Sequence, residues 1–150
     1  MVPIRFYSHT RGEHRCFSNF SEHPINSHGM VWPTSEHLFQ ALKFLPTDPD
    51  WFLAINGAAT PAEAKRKGRS RRHPIRDDWE ESKDEIMKRI LTLKVEQHED
   101  VRDILLETGD TELIEAAPRD YYWGVGATGT GQNKLGLLWM EVRKELRNQV

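Results

Sequence analysis

The chain has 150 residues, the usual size of one domain, and is long enough to bury roughly 70% of its unfolded surface without staples. Its 21 Lys+Arg and 23 Asp+Glu leave a formal charge of -2, which excludes a polybasic nucleic-acid protein and an acidic disordered chain as global classes. A single cysteine, Cys16, excludes a disulfide-stapled scaffold and a cysteine-based zinc site, and no apolar run approaches the ~20 residues of a membrane span. The expectation is one soluble domain over residues 1–150, in a reducing compartment such as the cytosol or nucleus, with no membrane partner.

The first 33 residues read as short strands and turns. Residues 4–7 are strand-like, and residues 24–32 form a hairpin turning at His28-Gly29. From Ser35 the apolar residues Leu38, Phe39, Leu42 and Leu45 recur at helical spacing, with Thr34 as N-cap and Pro46 just past the end. Asp48-Pro49 opens a short helix ended by Gly57. Thr60-Pro61-Ala62-Glu63 has the signature of a capping box and starts another, stopped by Gly68. After Pro74 a longer helix runs through Trp79, Ile86, Ile90 and Leu93 to about Gln97, and a further one through Val101, Ile104 and Leu105 ends before Gly109. Residues 113–116 are a candidate strand. A last helix over residues 133–147 buries Leu135, Leu138, Val142 and Leu146. The sum is an α+β fold: a single mainly helical domain with a small sheet built largely from the N-terminal third.

Three clusters carry residues able to do chemistry. On the first helix Glu36, Gln40 and Lys43 fall at i, i+4 and i+7, so the outer pair differ by only about 20° around the axis and lie ~10.5 Å apart along it. A Glu and a long Lys can close that gap onto one small ligand. The same spacing also suits a solvated face with helical charge pairing. The second cluster is Lys65, Arg66, Lys67, Arg69, Arg71, Arg72 and Arg76, with no acid among them; it suits phosphate, a nucleic-acid backbone or a solvated basic turn equally. The third runs from Tyr121 to Asn133 and contains Gly124-Val125-Gly126-Ala127-Thr128-Gly129. It has the form of a dinucleotide fingerprint but lacks the following strand and the acid about 20 residues on, so a Rossmann site is excluded. Glycines that let amides approach an anion, and Asn133 as a cap at the positive end of the last helix, remain as one reading, and a structural turn as the other.

Trp79 and Trp123 are candidates for stacking on a base or for packing, and Asp120 for a loop cap or a catalytic carboxylate. No ligand spacing occurs among the seven histidines, so no metal is expected, and Cys16 reads as a buried thiol.

Phe6-Tyr7-Ser8, Phe17-Ser18-Asn19-Phe20, Trp32-Pro33-Thr34-Ser35-Glu36-His37 running on to Gln40-Ala41-Leu42-Lys43-Phe44, Gly68-Arg69, Trp79-Glu80, Asp120 three before Trp123, and the closing glycine-rich run into Gln132-Asn133 stand in a specific order. With these markers the chain resembles, over nearly its whole length, the YbiA-like or NADAR family of riboflavin-intermediate N-glycosidases and guanine-linked ADP-ribose hydrolases. The resemblance implies cleavage of the bond between C1 of a phosphorylated ribose and a nitrogen. It places Glu36, Trp79 and Asp120 at positions the family relies on, and Lys43 at a lysine some members use as a covalent nucleophile. Asn19, Gln40, Arg69, Trp79, Trp123, Gly124, Gly126, Gly129 and Asn133 become candidate substrate-binding residues. Val125 and Thr128 depart from the acid or His that relatives often carry there.

The implied substrate is a phosphorylated ribosyl or ADP-ribosyl compound, including ADP-ribosylated DNA or RNA. No cofactor is implied, and the leaving base and the oligomeric state are left open. In chemical terms, ring opening of a glycosylamine exposes an iminium that a neutral Lys43 amine attacks, and Glu36 shuttles protons. Asp120 orients sugar hydroxyls or stabilises positive charge, Trp79 or Trp123 stacks on the base, and Arg69 with the glycine loop holds phosphate. The alternative within the enzyme class has Glu36 or Asp120 activating water directly. Two readings from other classes compete: a non-catalytic ADP-ribose or NAD-binding module, and a nucleic-acid adaptor using the basic cluster.

Overall fold

The computed structural model describes residues 1–149. Three of the four strands among the described residues lie in the first 32, as the turn-rich start of the sequence suggests: β1 (Ile4–Phe6), β2 (Ile25–Ser27) and β3 (Met30–Trp32), with β4 (Leu113–Glu115) far downstream. The strands form two separate pairs. β2 and β3 make an antiparallel hairpin whose two turn residues, His28 and Gly29, have φ of 55° and 73°, the left-handed pair that a two-residue hairpin turn needs. β1 pairs in parallel with β4, Ile4 beside Leu113 and Phe6 beside Glu115. The intervening chain is almost entirely helical, as expected of the mainly helical α+β class.

A short 3₁₀ turn over Glu13–Phe17, which no pattern in the sequence announces, turns Cys16 and Phe17 inward. Helix α1 (Ser35–Leu42) starts where Thr34 Oγ1 accepts from His37 N. It ends earlier than the expected Leu45, because Lys43, Phe44 and Leu45 close tighter i→i−3 bonds to Gln40, Ala41 and Leu42. The chain then turns into α2 (Pro49–Asn56), capped by Asp48 through Trp51 N. In α3 (Pro61–Gly68) the first half of the expected box forms, with Thr60 Oγ1 accepting from Glu63 N at 3.1 Å, while the Glu63 carboxylate reaches one residue further back and accepts from Ala59 N at 2.9 Å.

Helix α4 (Trp79–Gln97) begins at Trp79 rather than directly after Pro74, and α5 (Glu99–Glu107) follows it. The last helix, α6 (Lys134–Asn148), buries Leu135, Trp139, Val142 and Leu146. Leu138, expected in that stripe, is only half-buried, because the bulkier Trp139 occupies the inner face one residue on. α1 packs on α2, α3 and α4, while α4 in turn packs on α5 and α6, and α6 covers β4. Edge contacts from Phe6 to Phe17 (5.7 Å) and from Phe17 to Trp139 (5.3 Å) tie β1 to α6, and Trp139 Nε1 donates to Phe17 O at 2.9 Å. The functional consequence is that α1 sits centrally, with one polar stripe facing the start of α4, the end of α3 and the end of β4.

Candidate active site

Helical spacing brings Glu36 and Lys43 to one cavity of ≈ 320 Å³. Asn19, Gln40, Arg69, Trp79, Asp120 and Trp123 also line it. Eight of the residues expected to act on the substrate therefore share one enclosure.

The cavity's polar groups are held individually. Glu36 is 7% exposed, and its carboxylate accepts from Gln40 Nε2 at 2.5 Å. Burial pushes the Glu36 carboxyl up, while the Gln40 bond and the Lys65 and Lys43 cations pull it back. Gln40 is positioned by Gly68: a Cβ there would sit 1.9 Å from Gln40 Oε1. Gly68 thus serves close packing, with no left-handed conformation ending α3. Lys43, half-buried, donates weakly to Gly68 O at 3.3 Å and lies 5.9 Å from the Trp79 ring centroid. Its pKa falls through burial first, opposed by Glu36 and reinforced by Arg69, Lys65 and Lys83. That environment favours a neutral amine.

Trp79 is 5% exposed and packs on Phe39 at 5.1 Å, and Trp123 meets the same Phe39 edge-on at 5.4 Å. The two indoles flank one ring and both reach the cavity wall. Asp120 does two things at once. Its Oδ1 accepts from Tyr122 N at 3.0 Å and Trp123 N at 2.8 Å, which shapes the loop, and its carboxylate also lines the cavity. Asn19 is buried, donates only to the Met87 sulfur at 3.3 Å, and leaves Oδ1 without a partner.

The glycine-rich run stands apart from this enclosure. Gly124, Gly126, Gly129 and Asn133 do not line the cavity, and several amides of the run, those of Gly129 and Asn133 included, already donate to backbone carbonyls. Val125 N donates to Glu115 O, Gly131 N to Val125 O, Asn133 N to Gly124 O, Lys134 N to Tyr122 O and Leu135 N to Trp123 O. The first two amides of α6, those of Lys134 and Leu135, are therefore closed by backbone. Asn133 does not cap the helix. Left-handed at φ 53°, it accepts from Glu115 N at 2.9 Å and donates to Leu113 O at 3.0 Å, clipping β4 to α6. Gly126, at φ 70°, lies beneath the Tyr121 ring where a Cβ would clash. Val125 and Thr128 are likewise away from the wall.

The basic cluster splits. Lys65 and Arg69 face the cavity, whereas Lys67 lies 4.0 Å from Glu63 and Arg76 forks onto Asp78. A second cleft of ≈ 510 Å³ adjoins the first, sharing Lys43, Arg69 and Trp79 and adding Arg71 and His73. Among the described residues no group of His, Cys, Asp and Glu is arranged to hold a metal, and no helix is long and apolar enough to cross a membrane. Cys16 is buried, its thiol pushed up to about 11 by desolvation, and plays no part in the cavity.

Sequence reasoning missed two charged lining residues, Glu115 and Lys83, and took Lys65 only as part of a patch. Glu115 had a signal. Strand alternation places it on the same face as Leu113, so a core-facing Leu113 requires an inward carboxyl two residues on.

The sequence matches the NADAR domain family over residues 5–147. It is 45% identical over 143 residues to the N-glycosidase YbiA of Escherichia coli (strain K12), covering 95% of this chain and 88% of that protein. An N-glycosidase of Nostoc punctiforme is 44% identical over 134 residues, covering 89% and 86% respectively. The NMR structure of the E. coli YbiA protein superposes with a TM-score of 0.87 at 40% identity, covering 99% of this chain and 88% of that one.

Proposed function

Because the chain belongs to the NADAR family and is an enzyme that hydrolyses N-glycosidic bonds, we propose that it cleaves the bond between C1 of a phosphorylated ribose and a nitrogenous base through a covalent adduct on Lys43. The observation that carries this reading is the convergence of Glu36 and Lys43 on one cavity, with the half-buried amine beside three other cations. Relatives named N-glycosidases at this identity set aside the non-catalytic binding module and the nucleic-acid adaptor.

Protonation of the ring oxygen opens the sugar, leaving a C1=N iminium to the base. The neutral Lys43 Nζ adds to C1. A proton passes to the base nitrogen, the C1–N bond breaks with its electron pair going to that nitrogen, and Lys43 is left as a Schiff base. Water then adds to C1 with Glu36 taking its proton, and collapse of the carbinolamine frees the sugar aldehyde and the amine. Asp120 orients the sugar hydroxyls, Trp79 and Trp123 flank the base, and Gln40 and Asn19 offer hydrogen bonds to the substrate. Arg69 replaces the glycine loop as the phosphate-holding group, and Lys65 stands by the carboxylates.

The volume bears on the substrate. A cavity of ≈ 320 Å³ is at the low end for ligand sites and suits one nucleotide-sized molecule such as a ribosylaminopyrimidine phosphate. The adjoining cleft, with Arg71 and His73, favours a second reading in which a diphosphate continues outward, as in ADP-ribosylated guanine of nucleic acid. Incubation with ribosylaminopyrimidine 5-phosphate and with DNA carrying ADP-ribosylated guanine, side by side, separates the two by which base is released. Borohydride added during turnover fixes the sugar on Lys43, seen as a mass increase on that peptide. Base release without any adduct replaces the Schiff base by direct attack of water, and no release from either substrate overturns the proposal.

A further inference from the structure

Glu115 is the cavity's unassigned carboxyl. It ends β4 at 9% exposure, with its N–H taken by Asn133 Oδ1 and its carbonyl by Val125 N. Gly124 packs so closely that a Cβ there would lie 3.0 Å from Glu115 Cγ, so the stem of the side chain is clamped as well. Its Oε2, however, is buried without a hydrogen-bond partner. Asn19 Oδ1 is orphaned in the same way on a residue lining the same cavity, whereas Gln40 Oε1 is packed against Gly68 and Ser35 Oγ lies off the cavity. Buried polar groups are ordinarily paired, and two exceptions around one empty space mark groups that a ligand satisfies.

The two buried glutamates differ in surroundings. Glu36 on α1 receives the Gln40 amide and faces Lys65 and Lys43. Glu115 receives nothing on Oε2 and shares the cavity wall with the carboxylates of Asp120 and Glu36, which Lys65 of α3 opposes; the rest of the charged wall is Lys43, Arg69 and Lys83. Burial first, then the two neighbouring carboxylates, push Glu115 up to about 8. The wall also has a direction. The adjoining cleft shares Lys43, Arg69 and Trp79 but none of Glu115, Asp120 or Trp123, so phosphate on Arg69 at the cleft side leaves the base on the Trp123 side, where Glu115 stands.

We propose that Glu115 is a second catalytic residue, the acid that protonates the leaving nitrogen, while Glu36 is the base for water. This assignment rests on the N-glycosidase reading of the same cavity. As the C1–N bond breaks, its electron pair stays on nitrogen and the Glu115 proton joins it. The Glu115 carboxylate then takes the proton that Lys43 Nζ sheds on becoming the Schiff base, while Glu36 holds the proton of the attacking water and returns it to Nζ as the carbinolamine collapses, the hydroxyl proton leaving to solvent. Geometry separates the two carboxyls: Glu36 takes the Gln40 amide on α1, the helix that carries Lys43, whereas Glu115 keeps Oε2 unpaired at the end of β4.

The test uses the full chain with ribosylaminopyrimidine 5-phosphate and DNA bearing ADP-ribosylated guanine. Glu115→Gln keeps the shape of the neutral carboxyl and removes its acidity. The expected result is a kcat lower by about 10²–10⁴-fold with KM changed by no more than about threefold, and loss of the alkaline limb that the wild type shows above about pH 8. Wild-type turnover with an unimpaired Glu115→Gln overturns the acid assignment and leaves the function standing. Release of neither base by the wild type overturns the function and this assignment together. A carbon NMR titration of the wild-type carboxyl needs no variant: a midpoint near the ordinary value of about 4.3 for glutamate also overturns it.

Discussion

Two lysines are withdrawn from water in this protein, and only one of them faces a place where a ligand fits. Lys94, on α4, is fully buried beneath Trp139, and its amine donates to Ser18 O at 3.1 Å and Ser21 Oγ at 2.8 Å. Burial brings it down to about 7, from 10.5 in an open chain. Lys43 is lowered by the same cause, yet its one hydrogen bond is long and its neighbours are other cations around a cavity. A depressed lysine is therefore not itself the mark of a site. The mark is depression together with unfinished hydrogen bonding, which Lys94 lacks and which Lys43 shares with Gln40, Asn19 and Glu115.

The sharpest way to break this contrast is to replace each amine by an isosteric thioether. Lys43→Met should lower base release by at least about 10³-fold while changing stability by no more than about 1 kcal/mol. Lys94→Met should keep turnover within a few-fold and alter stability instead. Steady-state kinetics and urea melts on both variants decide it, and equal loss of turnover would erase the distinction.

The second effect is the pH dependence of the Lys94 contribution. An amine whose folded pKa lies below its unfolded value penalises the fold fully below about pH 7, and the penalty fades as pH rises toward 10.5. Between pH 7 and pH 9 the wild type should gain about 2 kcal/mol relative to Lys94→Met. At the upper end the variant should be the less stable by about 1–3 kcal/mol, because Ser18 O and Ser21 Oγ lose their donor.

The same contrast shows what the sequence could and could not reveal. Thr34, the Thr60–Glu63 box and Asp48 mark their helices locally, so α1, α2 and α3 were legible from residues close in the chain. The i, i+7 spacing of Glu36 and Lys43 likewise needs only helical geometry. The parallel pairing of β1 with β4 joins residues about a hundred positions apart, and nothing local encodes it. Asn133 was misread for that reason: as a helix-start residue it suggests a cap, but the strand it clips is visible only in three dimensions. The glycine run was legible as a turn. Which amides it leaves open depends on the carbonyls of Tyr122, Trp123 and Gly124 folding back over α6.

Gly68→Ala gives a third, smaller effect and probes how Gln40 is held. In an exposed helix the change would favour folding by roughly 1 kcal/mol, but here the new methyl meets the Gln40 amide. Overpacking should cost about 1–3 kcal/mol, and displacement of Gln40 from Glu36 should lower kcat about tenfold. Melting and kinetics on one preparation read both. A stabilised variant with full activity would mean that Gln40 moves aside freely and does not position Glu36.

The smallest expected effect concerns Asp120, where loop architecture and site electrostatics meet in one carboxylate. Asp120→Asn retains an oxygen that can accept from Tyr122 N and Trp123 N, so the loop should survive at a cost of about 1 kcal/mol, the difference between charged and neutral acceptors. Its charge, however, is the foremost electrostatic neighbour raising Glu115. Neutralising it should move the Glu115 carboxyl titration down from about 8, though not to the ordinary glutamate value, because burial remains the larger cause. The NMR midpoint of that one resonance, compared between wild type and Asp120→Asn, reads this without reference to turnover. An unmoved midpoint would show that burial alone holds the Glu115 proton, leaving Asp120 to act through the loop it shapes.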